Sequence, residues 1–130
     1  MIKKGLKGEI LSIYGSGNFI RDYIFIDDVV RAFLLCPQNK NKTNGKHFIL
    51  GSGKGFTVQE AISKVAEILN KKTKSKVGTK HVASPEDLLD IEFRNFVADN
   101  SSLKTAIDWS ADIDLEKGIE LTIENFIKHK

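Results

Sequence analysis

Three glycines and a lysine stand together at residues 51–55, "GSGKG", between an apolar run, "HFIL", and a stretch with helical spacing. Nucleotide phosphates are often held at such places, by the main-chain N–H groups of the turn and the start of the helix behind it. The known templates do not fit. A Walker loop needs G-x-x-x-x-G-K-[ST], and here Lys54 is followed by Gly55, with no hydroxyl for magnesium. A dinucleotide loop needs G-x-G-x-x-G, and Gly51, Gly53 and Gly55 fall one residue short. Thr57 and Glu60 form a T-x-x-E capping box, which satisfies the helix start without an anion. These glycines read as turn chemistry.

Other reactive residue types are scattered. His47, His81 and His129 lie far apart, with no cysteine or carboxylate at ligand spacing, so no metal site is expected. The lone Cys36 has no disulfide partner and falls in an apolar helical pattern, as a buried thiol does. The lysines of "NKKTKSKVGTKH" follow the end of a helix and read as a solvated connection. A nucleic-acid surface would interleave arginine or aromatic residues there, and none are present, so nucleic acid is not an expected partner. The formal net charge of +3 is modest. No apolar run approaches the length that spans a bilayer, and the N-terminus lacks a signal-peptide core, so the expected location is cytoplasmic, away from membranes.

The elements that must position any site read as mixed α/β, one domain over residues 1–130. "EILSIYG" and "DYIFIDD" read as two strands joined by a glycine-containing loop. Asp27 or Asp28 then caps a helix in which Val29, Ala32, Phe33 and Cys36 mark the inner face, and Pro37 ends it. "HFIL" has the pattern of a strand covered on both faces. Val58, Ala61, Ile62, Val65, Ile68 and Leu69 mark a long amphipathic helix. A strand is expected within "SKVGTKHV", a helix start at "SPEDLLD" with Ser84 as cap, and a short strand at "RNFVAD". A short helix from Ser101 carries Leu103 and Ile107, with Trp109 at its end. Asp114 caps a last helix with Leu115, Ile119, Ile123 and Phe126 inward. The strands are too few to surround "HFIL", which suggests part of a larger α/β unit.

The residues "GSGNFIRDYIFIDD" match G-x-G-x-x-x-R-D-[FY]-[IV]-[YF]-[IV]-x-D. This motif closely resembles the extended short-chain dehydrogenase/reductases, in the branch of NAD-dependent nucleotide-sugar epimerases and dehydratases. "HFILGSGKGFTVQEA", "FVADNSSLKTAIDW" and "DLEKGIELTIENF" follow in the order of that family's later pieces. The resemblance runs from about Gly8 to Phe126 and covers the family's C-terminal, substrate-binding portion, without most of its Rossmann sheet.

The resemblance implies a division of labour. Family members bind NAD or NADP at an N-terminal glycine loop and move protons with a Tyr-x-x-x-Lys pair. Here Tyr14 is followed at the fourth position by Asn18 and Tyr23 by Asp27, so the pair is absent from the sequence. The expectation is a chain with no cofactor of its own and no turnover alone. The family's aromatic residue before G-x-G packs on the nucleobase, which is Tyr14 here, and a flat amphipathic ring suits that task. Its arginine in R-D contacts the substrate diphosphate, which is Arg21, and a planar guanidinium matches phosphate bidentately. An ion pair with Asp22 or another carboxylate is the other reading of Arg21. The second diphosphate arginine of the family falls on Ser84 or Leu89, leaving Arg94 as the nearest guanidinium, and the asparagine of its F-N-I-G is Ile49. Expected partners are a nucleotide-diphosphate sugar and either an N-terminal cofactor domain or a second copy of this chain. A stand-alone binding or assembly protein that keeps this fold is the alternative.

Overall fold

In "LSIY" the two-residue period of an extended chain turns the aliphatic Leu11 and Ile13 inward and the hydroxyl-bearing Ser12 and Tyr14 outward, and the segment forms β1 (Leu11–Tyr14). It pairs in parallel with β4 (Thr79–Val82), Leu11 opposite Thr79 and Tyr14 opposite Val82. A second, antiparallel pair joins β2 (Ile20–Asp22) to β3 (Gly55–Thr57), with Arg21 opposite Phe56. The computed structural model describes residues 1–86 and 89–129. Six helices complete those residues: α1 (Ile2–Gly5), α2 (Ile26–Gln38), α3 (Lys40–Thr43), α4 (Val58–Lys72), α5 (Ser101–Ile107) and α6 (Leu115–Lys128), with a 3₁₀ turn at Asp90–Phe93.

Helix α4 starts where the capping box places it. Thr57 Oγ1 accepts from the Glu60 N–H at 3.1 Å, and the Glu60 carboxylate accepts from the Thr57 N–H at 2.7 Å. Its apolar stripe, Ala61 to Leu69, closes over Leu11 and Ile13 and meets Ile119 and Ile123 of α6. Asp114 caps α6 as expected, accepting from the Lys117 N–H at 2.8 Å. Two ion pairs, Lys64–Glu116 and Lys72–Glu124, flank the α4–α6 contact. A separate core gathers Ala32, Leu103 and the fully buried Trp109, with Ile24, Leu35, Cys36, Phe48 and Leu50 against it.

Several sequence expectations are corrected here. The two early strands do not pair with each other, and β2 stops at Asp22, because α2 already begins at Ile26. Neither Asp27 nor Asp28 caps α2. Phe25 occupies that position without a side-chain bond, and the buried Asp28 reaches elsewhere. Phe33 points to solvent rather than inward. Residues 47–50 form no strand, and none of them makes a main-chain hydrogen bond among the described residues. Residues 94–99 are likewise irregular, tied by a single main-chain bond at Phe96 and by side chains. The helix start expected after Ser84 runs into Asp87 and Leu88, which lie outside the described residues. Among the described residues, no helix is long and apolar enough to cross a membrane.

Candidate functional site

Strand β2 delivers two adjacent polar side chains, Arg21 and Asp22, to opposite tasks. Asp22 answers the question posed by the glycine turn. Its Oδ1 accepts from the N–H of Ser52 at 2.8 Å and from the Ser52 hydroxyl, and its Oδ2 accepts from the N–H of Gly53 at 2.9 Å and of Ala98 at 3.1 Å. The turn does cradle an anion, and the anion is the protein's own carboxylate. Burial opposes ionisation of Asp22, but the bonds from Ser52, Ala98 and Gly53 outweigh it and hold the carboxyl below its ordinary value. Glycine is required at position 51 by close approach, since a Cβ there would lie 2.3 Å from that of Ala98 and 2.7 Å from Asp22 Oδ2. With its N–H groups taken by Asp22, and the helix start closed by the capping box, this turn does not fit a dinucleotide pyrophosphate.

Arg21 reaches the other way, to the segment after the 3₁₀ turn. Nη1 donates to the carbonyls of Ile20 (3.0 Å) and Arg94, and Nη2 donates to the carbonyl of Glu92. The Glu92 carboxylate stands 3.8 Å away and is itself mostly exposed, while a quarter of the Arg21 side chain reaches solvent. This is a weakly neutralised guanidinium, fixed by carbonyl dipoles. The ion pair expected as the other reading of Arg21 is present in a long form, with Glu92 and not with Asp22.

The structure brings Arg21 to the main chain of Arg94 through that carbonyl, and the Arg94 guanidinium lies 5.5 Å from the centre of the Phe96 ring. Tyr14 ends β1 with 57% of its surface exposed, and it shares no hydrogen bond with either arginine among the described residues. Beside it, His81 Nδ1 lies 2.8 Å from the carbonyl of Gly15. On the segment that Arg21 bonds and beside it in sequence, Leu89, Ile91, Phe93, Phe96 and Val97 are exposed, with Phe93 edge-on to Phe19 at 5.4 Å.

Sequence reasoning missed two residues that organise this region. Asp22 was legible only as half of the R-D pair. Asn95 carries no motif, yet its Oδ1 accepts from the Ile20 N–H at 2.8 Å. A third, Asp28, accepts from the N–H groups of Asp112 (3.1 Å) and Ile113 (3.0 Å) and pairs with Arg31 at 2.8 Å. Among the described residues no group of His, Cys, Asp and Glu is arranged to hold a metal ion.

The mixed α/β fold and the R-D strand define a class, the NAD-dependent nucleotide-sugar epimerases and dehydratases of the extended short-chain dehydrogenase/reductase type. A family model described as GDP-mannose 4,6-dehydratase matches residues 1–122, and the chain belongs to that family. It is 27% identical over 133 residues to dTDP-glucose 4,6-dehydratase of Haemophilus influenzae, covering 98% of this chain and 38% of the relative. It is 35% identical over 102 residues to CDP-abequose synthase of Salmonella muenchen, covering 77% of this chain and 32% of that one. The crystal structure of a Thermotoga maritima UDP-glucose 4-epimerase with UDP-glucose superimposes with a TM-score of 0.76 at 29% identity, covering 98% of this chain and 38% of the other. The chain thus spans well under half the length of these relatives.

Proposed function

We propose that this chain is the nucleotide-sugar-binding part of an NAD-dependent epimerase or dehydratase. Arg21 forks onto the substrate diphosphate, Tyr14 stacks on the base, and Arg94 supplies a second positive charge. One observation carries the reading: Arg21 is held in place by main-chain carbonyls, partly open to solvent, with its nearest carboxylate 3.8 Å away. A guanidinium so placed is ready for a planar, doubly charged acceptor. The exposed ring of Tyr14 is free to stack. Family likeness supports the substrate class, since the relatives named above act on or bind nucleotide-diphosphate sugars by name. NAD or NADP, with the proton-transferring Tyr-x-x-x-Lys pair, belongs in this reading to a cofactor domain that completes the site, so the chain binds substrate without turning it over alone. That domain, or a second copy of the chain, covers the exposed apolar residues of α2, Ile26, Val30, Phe33 and Leu34.

Calorimetric titration with UDP-glucose, dTDP-glucose, CDP-glucose and GDP-mannose tests the reading. At least one is expected to bind, and Arg21→Ala to weaken that binding by about 1.5–3 kcal/mol, the scale of a charged hydrogen bond. An affinity within about twofold of wild type would make Arg21 an ordinary surface residue, since about 1.4 kcal/mol corresponds to tenfold.

A further inference from the structure

We infer that Asn95 is a positioning residue for the diphosphate site, fastening residues 92–98 to β2 so that the Arg21 guanidinium is fixed with its Nε–H open. The inference rests on the reading of Arg21 given above. A guanidinium has five N–H donors in a rigid plane. Both Nη1 hydrogens go to the carbonyls of Ile20 and Arg94, and one Nη2 hydrogen goes to that of Glu92. Nε makes no hydrogen bond among the described residues, and Nη2 has, besides that carbonyl, the Glu92 carboxylate at 3.8 Å. The Nε–H is thus left to donate to an incoming phosphate oxygen. No buried side-chain nitrogen or oxygen among the described residues lacks a partner, so the unfilled Nε–H faces solvent.

The carbonyls that fix this orientation sit on a segment with little to hold it. One main-chain rung ties it to β2, from the Phe96 N–H to the Ile20 carbonyl at 3.1 Å. A second rung would need a carbonyl opposite the Ile20 N–H, and Asn95 Oδ1 takes that role at 2.8 Å. The Ala98 N–H, bonded to Asp22 Oδ2, closes the far end. Without the Asn95 side chain a single rung is left beside Arg21. The carbonyls of Glu92 and Arg94 then wander, and the guanidinium loses the preorganisation that lets it meet a phosphate at low entropic cost.

A double-mutant cycle on the full chain, titrated with UDP, dTDP, CDP and GDP, reads this directly. For the tightest of the four, Asn95→Ala is expected to weaken binding about fivefold, the coupling seen between members of one hydrogen-bond network. In an Arg21→Ala background the same change is expected to have no effect. Unchanged affinity in Asn95→Ala overturns the positioning role and leaves the reading of Arg21 standing, as does an equal loss in both backgrounds. Failure of all four nucleotides to bind overturns that reading and the inference with it. Should Asn95→Ala not fold, the wild type still decides the matter. Side-chain NMR of Arg21 is expected to show separate Nη1 and Nη2 resonances from restricted rotation, and a single averaged resonance would overturn the inference.

Discussion

Asp28 shows how one buried carboxylate can join distant parts of a chain. It accepts from Arg31 and from the N–H groups of Asp112 and Ile113, while its own carbonyl accepts from Trp109 Nε1 at 3.2 Å. Arg31 completes the knot by bonding the Ser110 carbonyl and lying 5.7 Å from the centre of the Trp109 ring. Burial opposes the charge on Asp28, yet the bonds from Arg31, Asp112 and Ile113 outweigh it, and the carboxyl is held below its ordinary value of 3.8. A group whose pKa is lowered by folding stabilises the fold above its unfolded pKa, and that contribution is lost as pH falls through the folded value. Asp28→Ala is therefore expected to cost about 2–4 kcal/mol at neutral pH, from several charged hydrogen bonds lost at once. Urea unfolding at pH 7 and again near pH 3 checks this, and the gap between variant and wild type should narrow in acid. A gap that stays constant would show that the charge of Asp28 is not what holds the knot. Sequence told only that an acid belongs near the start of α2. It could not tell that the partner of position 28 is the main chain some eighty residues on, because such pairings are set by tertiary packing.

At the scale of elements, what proved legible was local. The capping box, the stripe of α4 and the cap of α6 depend on residues within a turn or two, and each lies where its pattern put it. Thr57→Ala is expected to cost about 1 kcal/mol, the usual value of an N-cap side chain, and Thr57→Ser to recover most of it. Denaturant midpoints of the two variants measure this, and an Ala variant as stable as wild type would show that the tertiary contacts of α4 alone fix its start. Strands were less legible, for a physical reason. "HFIL" and "RNFVAD" have strand composition, but a strand exists only against a partner, and here those segments lie along side chains and loops. The tie at residues 94–98 is made by Asn95, Asp22 and Arg21, which no periodicity reveals. The candidate site followed the same rule: Arg21 and Tyr14 were found through a motif, and the shell that fixes Arg21 was not.

The whole molecule leaves one surface unaccounted for. On α2, Ile26, Val30, Phe33 and Leu34 fall on a single face at helical spacing and are 62%, 48%, 71% and 62% exposed. Residues 47–50, whose Phe48 and Leu50 share a core with the inner side of α2, present main-chain groups without hydrogen-bond partners among the described residues. Contiguous apolar surface marks a contact face. The expected outcome is self-association at micromolar concentration, through an interface that for a stable dimer would bury about 1,600 Å² in total. Phe48 is a poor probe of this face, because a charge there would enter the core around Trp109. Phe33 is the better one, since its side chain is exposed and touches no part of that core. Light scattering on wild type and Phe33→Lys separates the possibilities. A dimer that Phe33→Lys converts to monomer places the contact on α2. A dimer that survives the change uses another face, and a wild type that is monomeric throughout the range shows that this apolar face tolerates water unaided.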